Sequence, residues 1–300
     1  MTSGTKNILS VIILNYRTPD LTIKSLQSLI SLYGRELQEE KIEIIVADNA
    51  SGDVSIENIK KYLFNIKAKN IFLVENKENL GFAKGCNNAA GRARGKYLLF
   101  LNSDTHVEDR GFLLMSDFLE KNLKIGILGG KLYNTNGSIQ PSAGKFYSLF
   151  NLVVMLLGFE RIGFLRSSPN RIQKVDWVSG GCMMVRRDVF RQLRGFDEKL
   201  FMYMEDMEIC FRAQKLNYET YFYPDVKIRH KSLGSSNKAF AIINIYQGIL
   251  YFYLKHKPYW EYLIAKTLLT AKARILIMVG TLISNSDLKE RYSKAIALNL

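Results

Sequence analysis

Residues 9–15 read LSVIILN and residues 41–48 read KIEIIVAD. Nearly continuous apolar runs rich in β-branched residues suit strands buried on both faces of a parallel sheet. Working outward, Thr18-Pro19-Asp20 breaks the first run, and Thr18 or Asp20 can cap a helix over residues 21–33, where Leu26, Leu29, Ile30 and Tyr33 recur at helical spacing. The pattern continues with a helix over 56–65, a short strand over 71–75, a turn at 79–82, a small-residue helix over 83–94 and a strand over 96–101. Strands alternating with helices predict an α/β fold with a mostly parallel central sheet flanked by helices. After about residue 130 the rhythm changes. A polar loop or hairpin (134–144) precedes an aromatic and aliphatic helical segment (145–165), a strand (176–185) and a short helix (188–193). An irregular acidic loop (195–206) then runs into a helix from Met207 to about Leu216. A strand over 219–228 follows, and from Lys238 the chain is mainly helical.

Composition narrows the class. Of 300 residues, 47% are hydrophobic and 23% charged, as in a globular protein. Forty-two Lys and Arg against 28 Asp and Glu leave a net charge of +14, which calls for an anionic partner: nucleic acid, a membrane surface or a phosphorylated substrate. No block of cations, zinc finger or RNP-type motif supports nucleic acid. Three separated cysteines without a CxxC pair argue against a disulfide scaffold or zinc ribbon and for a reducing compartment. The N-terminus lacks the features of a signal peptide, and the uncharged stretches 146–159, 239–254 and 275–286 fall short of the roughly 20 apolar residues of a spanning helix.

Ligands of open parallel sheets bind beyond the carboxyl ends of strands. Asn15-Tyr16-Arg17, Asp48-Asn49-Ala50-Ser51 and Asn102-Ser103-Asp104 all follow strands there. Each alone reads equally as a turn or a cap; three in one βα unit point to a site. Gly81-Phe82-Ala83-Lys84-Gly85 opens a helix and could admit phosphates, although it is neither GxGxxG nor a P-loop. Glu205-Asp206-Met207-Glu208 sets three carboxylates against aromatic and thioether side chains, where a raised pKa would suit a general base. The same residues would also be favoured by the dipole of a helix's first turn, and Glu208 can pair with Arg212 at i,i+4. His230, in RHKSLGSS, could join Asp104 on a divalent cation carrying diphosphate oxygens.

Taken in order, VIILNYRTPDLTIKSLQSL, IIVADNASGD, NLGFAKGCNNA, YLLFLNSDT, WVSGGCMMVRRDVF, GFDEKLFMYMEDMEICFR and RHKSLGSS resemble the family 2 glycosyltransferases, in particular the rhamnosyltransferase-like branch that builds cell-surface polysaccharides. The resemblance spans about residues 8–236. It implies a GT-A fold with a nucleotide-sugar-binding half (8–105), an acceptor and catalytic half (106–236) and a helical C-terminal extension (237–300). It implies inverting transfer from a UDP- or dTDP-sugar, helped by Mg²⁺ or Mn²⁺, to a glycan or lipid-linked glycan. By the same resemblance, Asn15 and Asp48 lie near the nucleoside, and Asn49, Gly81, Phe82 and Asn87 line the nucleotide pocket. Asp104 matches the last carboxylate of the metal-binding DxD motif, whose first is replaced here by Asn102, with Ser103 between them. His230 completes the metal site, Ser235 steadies the diphosphate, Asp206 is the catalytic base with Glu205 beside it, and Trp177, Gly180 and Gly181 border the acceptor.

Two other classes remain in view. A nucleotidyltransferase would carry a Gly-rich cationic N-terminal loop, which Asn15-Tyr16-Arg17-Thr18 is not. A non-catalytic nucleotide-sugar-binding protein would have no need of Glu205-Asp206 and His230. In the tail, Lys266, Lys272 and Arg274 interrupt an apolar pattern, which reads either as helices packed on the domain or as a helix lying on an anionic membrane surface. A cytoplasmic enzyme, peripheral at the inner face of the cell membrane, is the corresponding expectation.

Overall fold

A computed structural model describes residues 8–159, 165–231 and 238–297. The two opening runs are strands β1 (Leu9–Asn15) and β2 (Ile42–Asp48), paired in parallel with Asn15 opposite Asp48. Strand β3 (Ile71–Glu75) extends the sheet beyond β2, and β4 (Tyr97–Asn102) lies parallel to β1 on its other side. Successive side chains enter opposite layers. Ile12, Ile45 and Phe100 join one core cluster, and Val11, Ile13 and Leu99 join the other. That two-sided burial is why the runs are apolar without alternation.

Helices α1 (Pro19–Gln38), α2 (Ser55–Asn65) and α3 (Gly81–Gly91) connect these strands. Pro19 opens α1, where its missing N–H costs nothing. Residues 105–133, to which the sequence pattern assigned no element, form β5 (Thr105–Val107), α4 (Gly111–Lys121) and β6 (Ile125–Tyr133). After the short β7 (Ile139–Gln140) and β8 (Ala143–Gly144), helix α5 (Leu149–Leu156) occupies only part of the helical segment expected over 145–165. Strands β9 (Arg166–Ser167) and β10 (Gln173–Val175) follow.

The single strand expected over 176–185 is two. Strand β11 (Trp177–Val178) joins β8 and β9 in a small sheet, and β12 (Cys182–Arg186) joins the large one. Between them a turn is closed by the Cys182 N–H on the Ser179 carbonyl. Helix α6 (Arg187–Gln192) comes next, and α7 (Glu205–Lys215) begins two residues earlier than expected, placing Glu205 and Asp206 in its first turn. Strand β13 (Glu219–His230) is followed by α8 (Lys238–His256), α9 (Tyr259–Leu282) and α10 (Ser286–Ala297).

The main sheet runs β10-β13-β6-β12-β4-β1-β2-β3. β12 lies antiparallel to both β4 and β6, while β6 and β13 are parallel to each other. Helix α8 is part of the same body: Ile249, Phe252 and Tyr253 are buried in the cluster that holds Ile12 and Phe100. No helix among the described residues is long and apolar enough to cross a membrane.

Candidate active site

The topology brings distant residues to one edge. The carboxyl ends of β1, β2 and β4 meet there, and β13 delivers His230 to the same edge, opposite Thr105 of β5. Because β12 is antiparallel to β4, with Cys182 opposite Leu101, the Ser179–Gly181 turn lies beside residues 102–104. The Asn102 N–H donates to the Gly181 carbonyl (3.3 Å). A cavity of about 630 Å³ opens at this edge.

Asn49 organises one wall. Its Nδ2 donates to Asn79 Oδ1 (2.8 Å) and to the Gly81 carbonyl (3.1 Å), and its Oδ1 accepts from Asn76 Nδ2 and the Leu80 N–H. The Phe82 N–H donates to the Phe201 carbonyl (2.6 Å), which ties this turn to the loop before α7. Gly81 has φ +72°, and a Cβ there would stand 2.3 Å from the same carbonyl oxygen. Gly81→Ala therefore combines left-handed backbone strain with a backbone clash. It is expected to destabilise the protein by more than ~1 kcal/mol, read as a lower thermal midpoint.

Asn49, Gly81, Phe82, Ser103, Asp104, Trp177, Gly180, Gly181, Glu205, Asp206 and His230 all line this cavity. Asn15, Asp48 and Asn87 do not. Asn15 and Asp48 are fully buried behind the wall. The Asp48 carboxylate accepts from Asn15 Nδ2 (2.7 Å), from the Ser51 hydroxyl and from the Ser51 N–H. Asn87 clasps the backbone N–H and carbonyl of Phe196. These three hold the framework on which the wall is built. Ser235 lies outside the described residues.

Helix α7 supplies the acidic pair. Asp206 Oδ2 accepts from the Gly180 N–H (3.1 Å) and Oδ1 from the Met207 N–H (2.8 Å). Burial pushes the Asp206 carboxyl upward, against these amide donors and the nearby Arg166 charge. Burial and then the Asp206 charge drive Glu205 well above the carboxylate range, and its Oε2 is buried without a hydrogen-bond partner. Two buried carboxyls with unequal donors separate in role. Of the two, Asp206 has the amide donors that favour its ionised form, while the surroundings of Glu205 favour the neutral acid. The approach to α7 is strained: Tyr203 and Met204 have φ of +68° and +71°, and Gly248 of α8 leaves room for Met204, since a Cβ there would lie 2.7 Å from its Cγ. Glu208 faces away into a separate ion cluster with Arg212, Lys255 and His256.

At the other side of the cavity, His230 Nδ1 lies 2.9 Å from Gln140 Oε1, so this ring nitrogen carries the proton. Asn102 Nδ2 lies 3.0 Å from Nε2, so Asn102 stands beside the nitrogen that faces Asp104. His230 Nε2 and Asp104 Oδ1 are 3.1 Å apart. Two adjacent ligands about 2.1 Å from an octahedral cation are separated by roughly 3 Å, so the pair fits Mg²⁺ or Mn²⁺. No set of three or more His, Cys, Asp or Glu among the described residues could hold a metal ion.

Several cavity residues carried no signal in the sequence. Arg166 of β9 lies over the Trp177 ring (5.7 Å) and faces Asp206 electrostatically. Gln140 orients His230, and Phe240, Ala241 and Ile245 close the wall from α8.

The family model described as Glycosyl transferase family 2 matches residues 10–194. The chain is a family 2 glycosyltransferase. This glycosyltransferase is 25% identical over 247 residues to the N-acetylglucosaminyl-diphospho-decaprenol L-rhamnosyltransferase of Mycobacterium tuberculosis, covering 74% of the chain and 78% of that relative. It is 29% identical over 150 residues to the rhamnosyltransferase WbbL of Escherichia coli, covering 48% of the chain and 57% of WbbL. Its fold resembles that of the mannosyltransferase PcManGT of Pyrobaculum calidifontis, solved with GDP-Man and Mn²⁺ (TM-score 0.59, 17% identity, 96% of the chain and 85% of the other). The family 2 glycosyltransferase thus has the GT-A fold expected from its sequence, with relatives among the rhamnosyltransferases.

Proposed function

We propose that this enzyme is an inverting transferase that moves a sugar from a UDP- or dTDP-sugar to a cell-surface glycan or lipid-linked glycan, working at the cytoplasmic face of the cell membrane. The observation that supports this most directly is that one cavity is lined at once by Asp104 with His230 and by Asp206. We assign the wall formed by Asn49, Gly81 and Phe82 to the donor nucleotide and the part bordered by Trp177, Gly180 and Gly181 to the acceptor. We assign Asn15, Asp48 and Asn87 to supporting the nucleotide wall, and Ser235 to the diphosphate.

In this reading Asp206 accepts the proton of an acceptor hydroxyl. That oxygen bonds to the anomeric carbon as the bond to the diphosphate oxygen breaks on the opposite face, so the anomeric configuration inverts. Gly180 and Met207 hold the Asp206 carboxylate in place by their N–H groups. Asp104 and His230 would hold Mg²⁺ or Mn²⁺, which when bound offsets the charge gathering on the departing diphosphate. Arg166, stacked on Trp177, adds positive charge beside the acceptor.

The rhamnosyltransferase relatives make dTDP-rhamnose the first donor to try. The test is a panel of nucleotide sugars, scored for free nucleotide diphosphate with and without a glycan acceptor. Release from one donor, stimulated by Mn²⁺, is expected; no release from any member of the panel would sink the proposal. In the same assay His230→Ala should raise the Mn²⁺ concentration needed for half-maximal rate by about 10- to 100-fold. An unchanged metal requirement would remove His230 from the metal site.

A further inference from the structure

Helix α9 is apolar on two opposite faces. Ala265, Leu269, Ala273 and Gly280 are buried against the body of the protein. On the other side, Trp260, Leu263, Ile264, Ile275, Met278 and Leu282 are exposed, Leu282 to 76%. At 3.6 residues per turn these six, with Thr267, Ala271 and the exposed Arg274 between them and Thr281 at the margin, fall within an arc of about 120° running the length of the helix, roughly 36 Å. The two hydroxyls there are already satisfied, since Thr267 Oγ1 donates to the Leu263 carbonyl (2.9 Å) and Thr281 Oγ1 to the Ile277 carbonyl (2.9 Å), and the long Arg274 side chain can carry its charge up to a headgroup. An exposed, mainly apolar face of this length, on a helix whose opposite face is already buried, calls for a covering partner. Helix α5, which packs against α9, carries its own exposed row of Phe150, Val153 and Leu157, with Phe150 and Leu157 each 66% exposed.

We infer that this face of α9, with the row on α5, seats the enzyme on an anionic lipid bilayer. Charge and residue type select that occupant. From Tyr262 to Ser286 the chain has no acid and three cations, Lys266, Lys272 and Arg274, within a protein of net charge +14. Tyr259 and Trp260 stand exposed at the start of α9, and such amphipathic rings favour the headgroup level of a membrane. The helix lies on the surface; no helix among the described residues is long and apolar enough to cross. The position also serves an acceptor. Tyr147, just before α5, and Phe240 of α8 both line the cavity, so helices beside α9 build the cavity wall. The inference deepens the lipid-linked acceptor reading, but its physics rests on the exposed face alone.

The test is flotation of the full chain with phosphatidylcholine vesicles, with and without phosphatidylglycerol, beside a donor-hydrolysis assay in free solution. Wild type should float with the anionic vesicles and less so at high salt. The triple variant Trp260→Ser, Ile264→Ser, Ile275→Ser should lose at least about tenfold in bound fraction while still hydrolysing donor. Phe150→Ser with Leu157→Ser should weaken flotation in the same direction, in a second background should the triple variant fail to fold. Absence of flotation by wild type, or undiminished flotation by both variants, overturns the inference. So does a dimer, seen by light scattering, that the triple variant converts to monomer without any vesicle binding, since the face would then belong to a second copy. Flotation without hydrolysis of any donor would instead defeat the proposed function and leave the surface standing.

Discussion

Asp206→Asn is expected to lower sugar transfer by on the order of 10²–10⁴ while leaving nucleotide-sugar binding intact. The amide cannot take the acceptor's proton, yet it fills the same space at the start of α7. The contrast with its neighbour is the sharper test. Glu205 lies buried, its Oε2 without a partner and its pKa pushed well up by burial and by Asp206. If it keeps its proton, Glu205→Gln replaces one neutral group by another of the same shape, and activity should stay within a few-fold of wild type. A dead Glu205→Gln beside an active Asp206→Asn would exchange their roles. The pH profile carries the same information. A base must be ionised to work, and burial raises Asp206, so kcat/KM should fall with acidification at a pH above the ordinary aspartate range. A rate that stayed flat down to that range would contradict an elevated base.

The second large effect is on stability. Glu208 is fully buried, with Arg212 Nη2 at 2.7 Å, Lys255 Nζ at 2.7 Å and His256 Nε2 at 3.0 Å. Removing its charge leaves the Arg212 guanidinium without a carboxylate, while Lys255 keeps Asp197 (2.5 Å), so Glu208→Gln should cost about 3 kcal/mol. For a chain of this size that is on the order of a 10 °C fall in thermal midpoint. An unchanged midpoint would show that the cluster contributes nothing. Because α7 also carries Asp206, and α8 a cavity wall, a loosened α7–α8 joint should raise the KM for donor as well. The sign with pH follows from the carboxyl. Burial works to raise its pKa, but His256, Arg212 and Lys255 outweigh it and hold the group down at about 2, against 4.5 in the open chain. The stabilisation is complete above about 4.5 and is lost as the pH falls from there toward 2. Melts across that window should show wild type losing its advantage over Glu208→Gln.

The sequence by itself determined the α/β half and the family, and it pointed to the residues of the candidate site. Strands at Leu9–Asn15, Ile42–Asp48 and Tyr97–Asn102 are legible because burial on both faces demands unbroken apolar runs. Asn49, Asp104 and His230 stand at or just beyond strand ends and Asp206 in an acidic run, and their order along the chain, more than any one of them, points to a site. Strand β6 was not legible, since Gly126, Gly129 and Gly130 dilute its apolar pattern. Their reason is tertiary: a Cβ at Gly129 would lie 2.3 Å from Val178 Cβ. The division of residues 176–185 between two sheets was hidden for a similar reason, because pairing partners are chosen in space.

Only the tertiary structure decided how the site is assembled. Antiparallel β12 sets Gly180 against Asp206, and β13 carries His230 across to Asp104. It also distinguished Asp206 from Glu205 by giving Asp206 amide donors from Gly180 and Met207 and leaving Glu205 Oε2 buried without a partner. It turned Asn15, Asp48 and Asn87 into supports, because their polar atoms find partners inside the framework. For the tail, the sequence supplied cations within an apolar pattern; the packing of α9 decided which apolar face is already covered and which still looks outward. Spacing along a chain fixes which residues share a face, but the neighbours that cover that face come from elsewhere in the fold.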